Sequence, residues 1–149
     1  MNKAWLLIIL IVISLAGCYF VLAKTKPVYH FDHELILPDG QRAQISILET
    51  VKQQYQGFSY QQQPSSDQGL LFIWPQPAKR AMVMRNMNFS LDFIWLNQKK
   101  IVQLDQKALP EGAQPVNKYQ ADQVDAVIEM PAGFIERHNL VIGQSVDWR

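Results

Sequence analysis

The stretch LDFIWLNQKKIVQL, residues 91–104, decides the fold class. Its two ends, residues 91–96 and 101–104, are rich in aromatic and branched apolar side chains, which favour β-strands. Between them, the polar run Asn97-Gln98-Lys99-Lys100 has the composition of a tight connection. The stretch therefore predicts an antiparallel β-hairpin.

Turn and strand signals continue on both sides of this hairpin. Pro38-Asp39-Gly40 separates two apolar runs and predicts a β-turn. Thr50 can cap a short helix, along which the apolar positions Val51, Tyr55 and Phe58 recur at helical spacing and would face a sheet. The other predicted elements are strands over residues 70–74, 81–84, 124–130 and 145–148, and a helical turn or two within residues 131–139.

Short strands with one or two small helices, and no βαβ rhythm, predict an α+β fold that is mostly β. We expect a compact, partly closed β-barrel-like single domain over residues 31–149, since about 120 residues is the commonest size of one domain. The predicted core includes Leu71, Ile73, Phe93, Trp95, Val102 and Ile128.

Charge and cysteine content exclude several classes of function. Lys3 is the single charged residue among the first 23, so the rest of the chain carries 13 basic and 13 acidic side chains. Without a basic excess, neither nucleic acid nor an anionic lipid surface is an expected partner. Cys18 is the only cysteine and lies in the N-terminal apolar run, so the predicted domain has no thiol chemistry.

The N-terminal 23 residues predict a signal or an anchor. Residues 4–23 carry no charge and are long enough to span a bilayer as an uncleaved helix. Leu15-Ala16-Gly17-Cys18 resembles a lipoprotein cleavage box, in which case Cys18 would be lipidated. In both cases residues 24–30 would form a tether. The domain would then be anchored at the cell membrane, on the periplasmic or extracellular side.

Several short blocks occur in a fixed order along residues 31–149 and together resemble a known family, the domain of unknown function 192. The blocks are Gly57-Phe58-Ser59, Gly69-Leu70-Leu71-Phe72, Met84-Arg85-Asn86 running to Leu91-Asp92, Ile128-Glu129-Met130-Pro131-Ala132-Gly133, and Ile142-Gly143. The resemblance implies a small, mainly β, barrel-like fold that is frequently exported, and it implies no established activity. The sequence departs from the family pattern at Phe58, Ser59, Val83, Met87 and Ser90.

Arg85, Asn86 and Asp92 bracket a connection between two predicted strands and are candidates for a ligand-binding site. A guanidinium, an amide and a carboxylate could converge there on a polar ligand. The alternative is a structural corner, in which Asn86 adopts a left-handed conformation and Asp92 binds loop amides or Arg85.

Asp92 and Glu129 are candidates for a catalytic carboxylate pair of the kind used in general acid-base or glycoside chemistry. The alternative for Glu129 is a solvated strand face shared with Asp125. His30, Asp32 and Glu34 alternate along an extended segment, but no second group of ligands supports them, so no metal site is predicted. Phosphate loops and dinucleotide fingerprints are missing, and no cofactor is predicted.

Two functions of different class remain open from the sequence. The first is a binding or accessory module for an envelope or carbohydrate-like ligand. The second is a carboxylate-based enzyme that modifies or hydrolyses glycans. Because no nucleophile with a recognised motif is present, the binding module is favoured.

Overall fold

The computed structural model describes residues 27–112 and 118–149. Within them lie seven strands and two short helices: β1 (His33–Ile36), β2 (Arg42–Ile47), α1 (Val51–Gln56), β3 (Gln68–Val83), β4 (Leu91–Asn97), β5 (Lys100–Ala108), β6 (Lys118–Pro131), α2 (Phe134–Arg137) and β7 (Asp147–Trp148).

The strands form one sheet in the order β5-β4-β6-β3-β2-β1-β7. Neighbouring strands are antiparallel, except that β2 and β3 run parallel. The sheet curls until its two edges meet at one end, where Lys100 of β5 bridges to Ser145 just before β7. Val146 adds a backbone N–H that donates to the carbonyl of Lys99 at 3.0 Å. The predicted fold class, mostly β with a partly closed barrel-like sheet, is confirmed.

The predicted β4–β5 hairpin is present, with Asn97 opposite Lys100. Gln98 and Lys99 have φ angles of 49° and 63°. Positive φ at both central residues is the geometry whose twist matches that of the flanking strands. This hairpin places β4 beside β6, which carries Glu129.

The local signals around β1 and α1 are also borne out. Asp39 and Gly40 turn the chain between β1 and β2, with Gly40 at φ 84°. The Thr50 hydroxyl accepts from the Gln53 N–H at 3.2 Å, while the Gln53 side chain accepts from the Thr50 N–H at 3.0 Å. This reciprocal capping box fixes where α1 begins.

Apolar side chains cover both faces of the central strands. Paired residues in adjacent strands project to the same side of a sheet. One side, which we call the Ile128 face, carries Leu71 and Ile94 and is covered by Phe134 of α2. The other side, the Val127 face, is lined by Leu70, Phe72, Phe93, Trp95 and Val127.

Two of the six predicted core residues are not in the core. Leu71, Phe93, Trp95 and Ile128 are fully buried, but Ile73 and Val102 are 38% and 36% exposed. The predicted strands at 70–74 and 81–84 are one long strand, β3, whose pairing with β6 shifts register just after Ile73. Val102 lies on β5, an edge strand. Both side chains therefore lie where the sheet gives little cover.

The predicted apolar stripe on α1 is wrong. Val51 and Tyr55 are 83% and 86% exposed, whereas Phe58 is buried. The helix ends after six residues, and Gly57, with φ 47°, turns the chain out of the helical path. Phe58 therefore enters the core from a turn and does not share a helix face with Val51 and Tyr55.

Candidate functional site

Two of the sequence blocks named above lie side by side in the structure. The Ser59 hydroxyl donates to the carbonyl of Arg85 at 2.9 Å, and the Tyr60 N–H donates to the carbonyl of Asn86 at 2.8 Å. The Asn88 side-chain amide donates to the carbonyl of Gln61 at 2.8 Å. The loop after β3 therefore fixes the position of residues 58–61.

Arg85 and Asn86 make these contacts through their backbones, and their side chains are exposed. Asn86 has a φ of 58°, the left-handed conformation of the structural corner. Arg85 and Asp92 form no ion pair in the described residues. The structure therefore does not bring the side chains of Arg85, Asn86 and Asp92 together around one ligand position.

Asp92 is completely buried and accepts three backbone hydrogen bonds. Its Oδ1 accepts from the Lys107 N–H at 2.8 Å, and its Oδ2 accepts from the Gly133 and Ile135 N–H groups at 3.0 and 2.9 Å. This carboxylate joins β4 to β5 and to the start of α2. Its hydrogen-bonding environment is that of the structural corner, in which Asp92 binds loop amides.

Asp92 and Glu129 lie on opposite faces of the sheet. Asp92 is paired with Met130 and Glu129 with Phe93. Met130 belongs to the Ile128 face and Phe93 to the Val127 face. The sheet itself therefore separates the two carboxyl groups, although they are close in register.

Glu129 is buried, with 4% of its surface exposed, so the interpretation of a solvated strand face is wrong. Its strand, β6, is central, and both of its faces are covered at this point. Burial raises the pKa of the carboxyl to about 8, although a hydrogen bond from the Phe58 backbone acts in the opposite direction. The acid is therefore largely protonated at neutral pH.

The Gly57-Phe58 turn lies directly over the Glu129 carboxyl. A Cβ at Gly57 would be 3.2 Å from Glu129 Oε2, so only glycine leaves room there without a shift. The Tyr29 hydroxyl donates to the Gly57 carbonyl at 2.7 Å, and the Tyr29 and Phe58 rings meet edge to face at 6.1 Å. Burial and the nearby Glu129 raise the pKa of the Tyr29 hydroxyl above its usual range.

Tyr29 and Phe58 border an open groove of about 340 Å³. Its lining has three aromatic side chains, three glutamines and no charged side chain: Pro27, Val28, Tyr29, Phe31, Phe58, Gln61, Gln62, Pro64 and Gln68. We call this feature the groove. Sequence reasoning missed it and assigned residues 24–30 to a tether. The signal that could have found it is the alternation of Tyr29 and Phe31, since aromatic side chains are uncommon in a solvated linker.

Residues 27–112 and 118–149 contain no group of three or more His, Cys, Asp or Glu side chains placed to hold a metal ion. Glu34, one of the three alternating residues, pairs with Arg42 and Arg149. No helix in this part of the chain is long and apolar enough to cross a membrane. The predicted anchor and Cys18 lie outside the described residues.

Comparison with known proteins supports the fold and leaves the chemistry open. A family model described as DUF192, "Uncharacterized ACR", matches residues 35–148. A candidate transcription regulator from Sinorhizobium meliloti 1021 is 22% identical with a TM-score of 0.72, over 83% of this chain and 98% of that one. A protein of unknown function from Novosphingobium aromaticivorans DSM 12444 is 20% identical with a TM-score of 0.68, over 83% and 94%. At these identities the likeness shows the fold alone. None of the curated proteins matches.

Proposed function

We propose that this chain, which belongs to the uncharacterized family DUF192, is a membrane-anchored binding module. It would hold an envelope or carbohydrate-like ligand in the groove. The observation that carries this proposal is the combination of aromatic and glutamine side chains around a cavity of about 340 Å³. Ligand sites are typically concave and largely apolar, with a few polar groups that fix orientation.

The chemistry of the lining suits a hydroxyl-rich ligand. Tyr29 and Phe31 are half-buried and offer aromatic surface, on which the apolar C–H face of a sugar ring can pack. Phe58 borders the groove but is buried. Gln62 adds an amide that can both donate and accept hydrogen bonds. The Gln68 amide is already engaged, since it donates to Gln44 at 2.9 Å and accepts from the Ser65 N–H at 3.3 Å. Gln61 already donates to the carbonyl of Pro27 at 3.1 Å, which ties the two sides of the groove together.

A carboxylate-based glycan enzyme has less support. Such chemistry needs an acid and a base on the two sides of one bond. Asp92 is occupied by three backbone amides, and Glu129 projects from the opposite face of the sheet. The groove has no charged lining residue that could replace either group. Binding without turnover is therefore the function that we favour.

Substitution of Gln62 tests the groove. We expect Gln62→Ala to weaken binding of chito-oligosaccharides or peptidoglycan fragments by about three- to tenfold, the usual worth of one hydrogen bond. The melting temperature should not change, because Gln62 is exposed. Thermal-shift titration of the full chain in detergent gives the affinities, and mass analysis of the ligand checks for conversion.

Gln63→Ala is the matched control, because Gln63 is exposed next to Gln62 but does not line the groove. Equal loss of binding in both variants would contradict the placement of the site. Release of a shortened or modified glycan would show that the domain is an enzyme.

The anchoring part of the proposal has its own test. The uncharged run at residues 4–23 motivates it. A reporter fused after Arg149 should be active in the periplasm or outside the cell, and activity confined to the cytoplasm would overturn the predicted location. Globomycin should cause an unprocessed precursor to accumulate if Cys18 is lipidated. An uncleaved helix would leave the protein unchanged by the drug and by Cys18→Ser.

A further inference from the structure

Glu129 is a buried acid that is not among the residues that line the groove. It is more than nine-tenths buried, and its Oε2 atom has no hydrogen-bond partner in the described part of the chain. A buried polar atom without a partner is costly and calls for an explanation. Oε2 lies beneath the Gly57-Phe58 turn, and Phe58 lines the groove.

No positive charge of the described residues compensates this carboxyl. On the neighbouring strands Glu129 is paired with Leu70 and Phe93, both apolar. The turn above it contributes Gly57 and Phe58, and the Phe72 ring lies beside them. Glu129 raises the pKa of the nearby Tyr29 hydroxyl, but this hydroxyl carries no positive charge that could compensate the carboxylate. The carboxyl therefore lies uncompensated beneath the Gly57-Phe58 turn, and the Gly57 carbonyl of this turn accepts a hydrogen bond from Tyr29 of the groove.

We propose that Glu129 makes the groove selective for ligands that carry a cationic nitrogen, such as an amino sugar or a quaternary ammonium group. This inference rests on the proposed function of the groove and names the class of ligand. The faces of the half-buried Tyr29 and Phe31 rings attract cations, because the ring quadrupole is negative above the ring plane. The buried carboxylate behind this aromatic wall adds an attraction that solvent screens only weakly.

Proton release couples such binding to pH. In the free protein, burial keeps Glu129 mostly protonated at neutral pH, since its pKa is about 8. A bound cation favours the carboxylate, so the proton leaves to solvent as the ligand binds. By reciprocity, the affinity for a permanent cation must rise as pH rises through this pKa. An uncharged ligand of the same shape should show no such dependence.

Choline and 3,3-dimethylbutan-1-ol are suitable probes, because they share a shape and differ in charge. Binding to the full chain in detergent can be followed by isothermal titration calorimetry between about pH 6 and pH 9. A drop of about one unit in the pKa of Glu129 on binding corresponds to about a tenfold gain in choline affinity over this range. The affinity for the alcohol should stay constant.

Two variants separate this inference from the binding function itself. Glu129→Gln should bind choline and the alcohol with no pH dependence, while Asp122→Asn, an exposed acid on the same strand, should behave like the wild type. Equal affinities of the wild type for choline and the alcohol at all pH values, or binding of neither probe, would overturn the inference. Binding of neutral chito-oligosaccharides in the same preparation would then show that the groove still works as a site.

Discussion

Glu129→Gln is expected to raise the free energy of unfolding by about 2 to 3 kcal/mol at pH 7. The pKa of this acid is about 8 in the folded chain, compared with an ordinary value of 4.5. The folded state therefore binds more protons than the unfolded state between these values. Stability is fully present below pH 4.5 and decreases as pH rises to about 8, by up to about 1.4 kcal/mol per pH unit. Glutamine stays neutral and avoids this loss.

Urea denaturation at pH 5, 7 and 8.5 measures the effect as the difference between the variant and the wild type. The difference should be small at pH 5 and grow with pH, and it should stay near zero at each pH for Asp122→Asn. Part of the gain is offset, because the extra amide donors of glutamine also lack a partner. If Glu129→Gln were destabilising by the same amount at each pH, the buried acid would already be satisfied as a carboxylate.

Asp92→Ala is expected to lower the free energy of unfolding by about 4 kcal/mol or more, because it leaves three buried backbone donors without an acceptor. These donors are the N–H groups of Lys107, Gly133 and Ile135. Asp92→Asn keeps one acceptor oxygen and should cost about half as much. Chemical denaturation of the full chain in detergent measures both values.

Asp125→Ala is the matched control for Asp92→Ala. Asp125 is half-buried and also accepts a backbone hydrogen bond, from the Gln98 N–H at 2.9 Å, but this hydrogen bond is exposed to solvent. Its loss should cost no more than about 1 kcal/mol, since water can replace the carboxylate. If Asp92→Ala cost no more than Asp125→Ala, Asp92 would not be the structural joint of this sheet, and its role as a candidate functional group would reopen.

Local chemistry made much of the fold predictable. Thr50 and Gln53 cap α1 through atoms three residues apart, and the β4–β5 hairpin depends on four consecutive residues. Asn86 could be identified as a possible corner, because asparagine tolerates the left-handed conformation that it adopts. Each of these features depends on residues that lie only a few positions apart in the sequence.

The environment of Glu129 could not be predicted in this way. The apolar residues at positions 124, 126, 128 and 130 alternate with Asp125, Val127 and Glu129, and this pattern is typical of a half-exposed strand. β6, however, lies between β3 and β4, with Phe58 and Phe72 over its Val127 face. That cover comes from turns and strands far away in the sequence, so periodicity carries no information about it.

The groove was missed for the same reason. Tyr29 contacts Gly57 across 28 positions, and Gln61 contacts Pro27 across 34. No spacing rule links residues so far apart. Arg85 and Asn86 are candidates for ligand binding from the sequence, and that role stays a prediction. Their backbones instead hold residues 59–60, which lie beside the groove.

Mapping the ligand site by NMR tests whether the groove holds the ligand. Isotope-labelled protein in detergent would be titrated with a chito-oligosaccharide, and the backbone amide shifts would be followed residue by residue. We expect the largest shifts to lie in the groove, at Tyr29, Phe31, Phe58, Gln62 and Gln68. Saturable shifts centred on the exposed side chains of Arg85 and Asn86, with the groove unaffected, would contradict it.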